Sequence, residues 1–127
     1  TILPLVNSVR QYINKDTIVV DLENYHQDLP IYLNRNIYLV YDWDKVNVKT
    51  QDNWASDFVL GQSMSSNDSK YLISPVEFES MWNQSDESGE QLIVFAEKNV
   101  FNKWSNLLSG GIKILAENEK EVVFSNN

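Results

Sequence analysis

The sequence predicts an α/β fold, a three-layer α/β/α Rossmann-like sandwich whose sheet is mostly parallel and ends in an antiparallel C-terminal edge hairpin. Three observations carry this. Segments of helical spacing alternate with short β-branched runs, the order that imposes right-handed crossovers and a parallel sheet. Thr17-Ile18-Val19-Val20-Asp21-Leu22 and Leu92-Ile93-Val94-Phe95-Ala96 are nearly continuous apolar runs, as in strands buried on both faces. The last two strand-like runs, 112–116 and 121–124, are separated only by the polar stretch Glu117–Lys120, a gap that suits a hairpin.

Each element has a local reason. Ile2, Leu5, Val6, Val9 and Ile13 lie on one helical face, which Asn14-Lys15-Asp16 ends. After the first strand, Asp28 is placed to cap a short helix with Pro30 in its first turn, Leu29, Tyr32 and Leu33 facing inward. Ile37–Tyr41 is a second strand. From Asp42 to about Ser69 the pattern weakens into a long polar excursion with isolated Trp43, Trp54 and Phe58, and a short strand is expected near Asp57–Leu60. Regular structure resumes at Tyr71-Leu72-Ile73.

Ser74-Pro75-Val76-Glu77 matches a capping box with Pro at the first helical position, and Ile73 and Phe78 occupy the two positions of a hydrophobic staple. The helix is expected to run out in the polar stretch Asn83–Gly89. Val100, Phe101, Trp104, Leu107 and Leu108 form a further helical face closed by Gly110-Gly111.

Length and composition fit one soluble domain over residues 1–127. The chain has 43% apolar and 22% charged residues, enough for a core and against disorder. It begins at Thr1, directly in an amphipathic segment, as expected of a domain cut from a longer polypeptide. Ten basic against eighteen acidic residues give a formal charge of −8, which disfavours nucleic acid and anionic lipid as partners. There is no cysteine, which removes disulfides, thiolate metal sites and a thiol nucleophile together. No apolar run approaches the roughly 18 residues of a membrane span.

The chain carries no assembled catalytic constellation. The first crossover, Leu22 to Asp28, has no glycine to cradle a phosphate, so no nucleotide cofactor is expected. Asp21, Asp42 and Asp44 read as capping and loop carboxylates ahead of a Mg²⁺ cluster. His26 is the only histidine and lacks a nucleophile elbow, which favours a hydrogen-bonding role over that of a general base. Glu77 and Glu79 diverge on one helix, and Glu117, Glu119 and Glu121 read as solvated hairpin surface. The aromatic residues Tyr25, Trp43 and Trp54 read as anchors that pin connections to the domain.

One block is more particular. Between the first two strands stands Tyr25-His26-Gln27-Asp28-Leu29-Pro30-Ile31-Tyr32-Leu33-Asn34-Arg35. With its flanking strands it resembles the corresponding block in the soluble C-terminal domain of bacterial membrane glycosyltransferases. That family is the lipid A aminoarabinose transferases, related to the dolichyl-phosphate-mannose-protein mannosyltransferases. Asp57–Gly61, the stretch from Tyr71 through Phe78 and Trp82, Leu92–Glu97 and the ending Val122-Val123-Phe124-Ser125-Asn126 are similar to further segments of the family in the same order.

The resemblance implies that this is the C-terminal, extracytoplasmic part of a multi-spanning enzyme on the periplasmic side of the bacterial inner membrane. Such an enzyme moves a sugar from a polyprenyl-phosphate donor to an acceptor, lipid A in part of the family, with its catalytic carboxylates in the membrane part. This chain would then be non-catalytic, with the transmembrane portion of the same polypeptide as its partner. It would help shape the cavity for donor or glycolipid acceptor. Tyr25, Gln27, Asp28 and Arg35 are the candidate ligand or interface contacts, Arg35 as a bidentate holder of a carboxylate or phosphate. The alternative is an independent Rossmann-like small-ligand-binding or regulatory module. A freestanding hydrolase ranks behind both.

Overall fold

The computed structural model describes residues 1–43 and 66–127. Among them, one sheet runs in the order β3-β2-β1-β4-β6-β5. Its strands are β1 (Ile18–Leu22), β2 (Tyr38–Val40), β3 (Leu72–Ile73), β4 (Leu92–Glu97), β5 (Lys113–Glu117) and β6 (Glu121–Ser125). β1 lies parallel to both β2 and β4, and β2 parallel to β3. β6 alone is antiparallel, to β4 on one side and β5 on the other. The fold is therefore α/β with a mixed, mostly parallel sheet flanked by helices.

The runs predicted to be buried on both faces are the central strands. Val19, Val20, Leu22, Ile93, Val94 and Phe95 are all buried. Alternate residues feed two cores. Val20, Leu22, Val94 and Phe124 pack with Phe78, Trp82 and Trp104, which come from α3 (Pro75–Ser88) and α4 (Lys98–Trp104). Val19, Ile93, Phe95 and Val123 pack with Leu5, Val6 and Val9 of α1 (Leu3–Val9) and Leu29 of α2 (Leu29–Leu33).

Several expectations are corrected. The hairpin forms the sheet edge with its strands out of chain order, β6 inserting between β4 and the outermost β5. The reason is apolar content, since Val122, Val123 and Phe124 are buried whereas Lys113 and Ile114 of β5 are exposed. The Asn83–Ser88 stretch is helix rather than loop. A full capping box starts α3, Ser74 Oγ accepting from Glu77 N–H and Glu77 Oε1 from Ser74 N–H, both at 3.1 Å. Gly89, at φ 74°, ends it with its N–H on Ser85 O, a left-handed stop that glycine adopts without strain. The helix predicted through Leu108 ends at Trp104, leaving Leu107 54% exposed while Leu108 is buried.

The Asp28 side chain makes no capping hydrogen bond to α2, although Asp28 does occupy the N-cap position. Its φ and ψ are helical, which turns the carboxylate away from the first-turn N–H groups. Asp44, Trp54, Phe58 and the strand expected near Asp57–Leu60 lie outside the described residues. The excursion is described only from Ser66, where a short 3₁₀ segment, Ser66–Tyr71, leads into β3.

Candidate functional site

In a sheet of this kind ligands gather beyond the carboxyl ends of the parallel strands, where the strand order reverses. The reversal here falls between β1 and β4, because the chain builds outward from β1 through β2 and β3, then returns to β1's other side with β4. The connection from β1 to α2 crosses this point. It is fastened on both faces of the sheet.

On the α1/α2 face, Asp21 and His26 meet. Asp21 is fully buried near the end of β1, and its carboxylate accepts from the His26 backbone N–H at 2.7 Å and pairs with His26 Nδ1 at 2.8 Å. The other ring nitrogen, Nε2, forms an ion pair with Glu121 at the start of β6. The His26 side chain is only 14% exposed, and each ring nitrogen meets a carboxylate. Burial favours neutral His26, but hydrogen bonds and charge from Asp21, then Glu121, outweigh it and push the imidazole up to about 9. Burial also raises Asp21 above its usual value, against the opposing effect of His26.

This is the arrangement that sequence reasoning missed. Glu121 is no solvated hairpin residue, since register sets it opposite Glu97 and turns it towards His26. Long-range pairing between 26 and 121 leaves no local signal. The chemistry is restrictive too. A histidine with carboxylates on both nitrogens has no free lone pair with which to act as general base.

On the other face stands Glu23. It adopts φ 55°, uncommon for a residue with a Cβ, while its N–H bonds to Val40 O at 2.8 Å. Its carboxylate accepts from Trp104 Nε1 at 2.5 Å and from Lys103 Nζ at 3.1 Å. Beside it opens a groove of about 540 Å³, lined by Glu23, Asp42, Val76, Glu79, Trp104 and Leu107 among others. Val76, at the start of α3, is 78% exposed.

The candidate contacts do not converge. Tyr25, Gln27 and Asp28 sit together on the fastened connection, Tyr25 half-buried and the other two exposed. Burial, then the charges of Asp21 and Asp28, push the Tyr25 phenol up. Arg35 lies at the opposite end of β1, where Nη1 donates to Thr17 O at 2.8 Å and Nη2 to Asn14 O at 2.9 Å. Five residues of strand separate the two places, roughly 16 Å at strand rise. Arg35 thus spends two of its donors on backbone carbonyls rather than presenting the bidentate fork expected of it. Trp43 anchors its connection, its indole donating to Ile73 O at 3.1 Å. Among the described residues no group of three or more histidines and acids is placed to hold a metal ion. No described helix is long and apolar enough to cross a membrane.

The fold is similar to that of a segment of ArnT. Against the crystal structure of ArnT from Cupriavidus metallidurans bound to undecaprenyl phosphate, the TM-score is 0.68 at 14% identity. Against the apo state of ArnT it is 0.66 at 13% identity. Both comparisons cover 99% of this chain and 20% of the ArnT chain, so the chain spans about a fifth of ArnT's length. No family model and no curated protein matches the sequence.

Proposed function

We propose that this chain is the non-catalytic, extracytoplasmic domain of a polyprenyl-phosphate-dependent membrane glycosyltransferase, packed on the membrane part of the same polypeptide. The observation that carries the proposal is the fold shared with ArnT over nearly the full chain. The Tyr25–Arg35 block, which resembles the same family in sequence, supports it independently. The engagement of both His26 nitrogens by carboxylates supports the non-catalytic part.

On this reading the domain lies on the periplasmic side of the inner membrane and helps shape the cavity that receives lipid-linked donor or glycolipid acceptor. Tyr25, Gln27 and Asp28 are its contacts, held together on the β1–α2 connection. Arg35 contributes indirectly, by bracing the start of β1. The reversal of strand order beside β1 supports the finer reading of the sheet as Rossmann-like.

The test is the membrane topology of the full-length gene product. Several spans upstream of Thr1, with residues 1–127 accessible to protease only from the periplasmic side, are expected. A soluble full-length protein would contradict the proposal and favour an independent ligand-binding module.

A further inference from the structure

We propose that His26 is a positioning residue, a locked imidazolium that clasps the β1–α2 connection to the hairpin and so fixes how Tyr25, Gln27 and Asp28 are presented. A neutral imidazole carries one N–H, so it can donate to one carboxylate only and turns a lone pair towards the other. Asp21 approaches Nδ1 at 2.8 Å and Glu121 contacts Nε2, so the pairing is attractive on both sides only when both nitrogens are protonated.

The clasp joins segments far apart in sequence. Asp21 belongs to β1, Glu121 to β6, and His26 to the connection between them in space. Asp21 also accepts the His26 backbone N–H, so the same carboxylate fixes both the main chain and the ring. The two carboxylates that meet the ring, Asp21 and Glu121, favour its charged form, and further titratable groups surround them. From the connection itself come Tyr25 and, at the start of α2, Asp28; from β4 comes Glu97, opposite Glu121. Lys120 and Glu119 line the surface beside Glu121.

A cation so placed stays protonated well above neutrality. The device is therefore a lock, closed through neutral pH, and not a sensor of mild acid. It releases on the alkaline side, where loss of one proton leaves a neutral ring facing two carboxylates.

That Tyr25, Gln27 and Asp28 are contacts rests on the proposed function, but the clasp itself does not, and its failure leaves the fold shared with ArnT, which carries that proposal, untouched. Because His26 is the only histidine, ring ¹⁵N and ¹H resonances report it without ambiguity. The experiment follows them from mildly acidic to strongly alkaline pH, alongside hydrogen-exchange protection factors for residues 23–28. The ring should carry both protons through neutral pH and titrate near 9, with protection of the connection falling over the same range. In Glu121→Gln, which keeps an acceptor but removes the charge, the midpoint should fall by about one unit, a tenfold loss of proton affinity. A wild-type midpoint near 6.5 would overturn the proposal. So would protection that ignores the titration, or a Glu121→Gln midpoint equal to wild type.

Discussion

Trp104 donates its indole N–H to the carboxylate of Glu23 across 81 positions of sequence, tying α4 to the end of β1. Glu23 holds that geometry at a positive φ, so two separate effects meet at one residue. Glu23→Ala leaves the buried indole donor unpaired and should cost about 1–3 kcal/mol in urea unfolding. Glu23→Gly loses the same bond but relieves the backbone, and should recover about 1 kcal/mol relative to alanine. Equal stability of the two variants would refute the strain argument.

The His26 pair sets a pH dependence whose sign can be worked out. Its folded value of about 9 lies above the ordinary 6.5, so the folded protein binds more protons between those values. Its stabilisation is complete below 6.5 and is lost as pH rises towards 9. Asp21, also raised, acts in the same sense, because burial of its charge opposes folding once it ionises. Denaturant midpoints should therefore decline between about pH 6.5 and 9, and a His26→Gln variant should flatten that slope. A wild-type midpoint constant over the interval would contradict the ion pairing.

The start of α3 depends on reciprocal capping. Ser74→Ala removes the acceptor for Glu77 N–H and should lower stability by about 1 kcal/mol. Ser74→Asp should retain most of it, since a carboxylate accepts the same bond and suits a helix N-terminus. Thermal unfolding of the two variants separates capping from a general intolerance of change.

Trp82 fills the core between α3 and the sheet, and its Nε1 donates to Ser109 O at 2.8 Å. Trp82→Ala should cost about 3–5 kcal/mol. Trp82→Phe keeps much of the apolar volume and loses only the bond to Ser109 O, and should cost distinctly less. If phenylalanine proved as damaging as alanine, the hydrogen bond rather than packing would dominate.

What the sequence reveals and what it hides divide along physical lines. Buried parallel strands need apolar residues on both faces, so β1 and β4 are legible from their composition. The capping box announces α3 for a similar reason, its partners being three residues apart. The helix's far end is misread because Asn83–Ser88 looks like a polar loop, although a solvent-facing helical turn needs the same residues. Its stop depends on the backbone geometry of Gly89, which a loop glycine shares in sequence. Asp28 looks like a cap yet makes no capping bond, since residue type does not fix the φ and ψ that aim a side chain. The site is harder still. Asp21 and His26 are near neighbours, but Glu121 joins them only through the placement of β6 beside β4, and Glu23 meets Trp104 only once α4 crosses the sheet. Arg35 is legible as a charge and not as a brace, because its partners are backbone carbonyls that no sequence advertises.

The central claim is that chemistry resides in the membrane part and this chain supports it. Sugar transfer from a polyprenyl-phosphate donor, assayed with the full-length gene product in membranes and with residues 1–127 alone, tests it most directly. Transfer by the full-length protein and none by the chain alone is the predicted result. Transfer by residues 1–127 alone, or none by a correctly folded full-length protein with any polyprenyl-phosphate sugar, would contradict it.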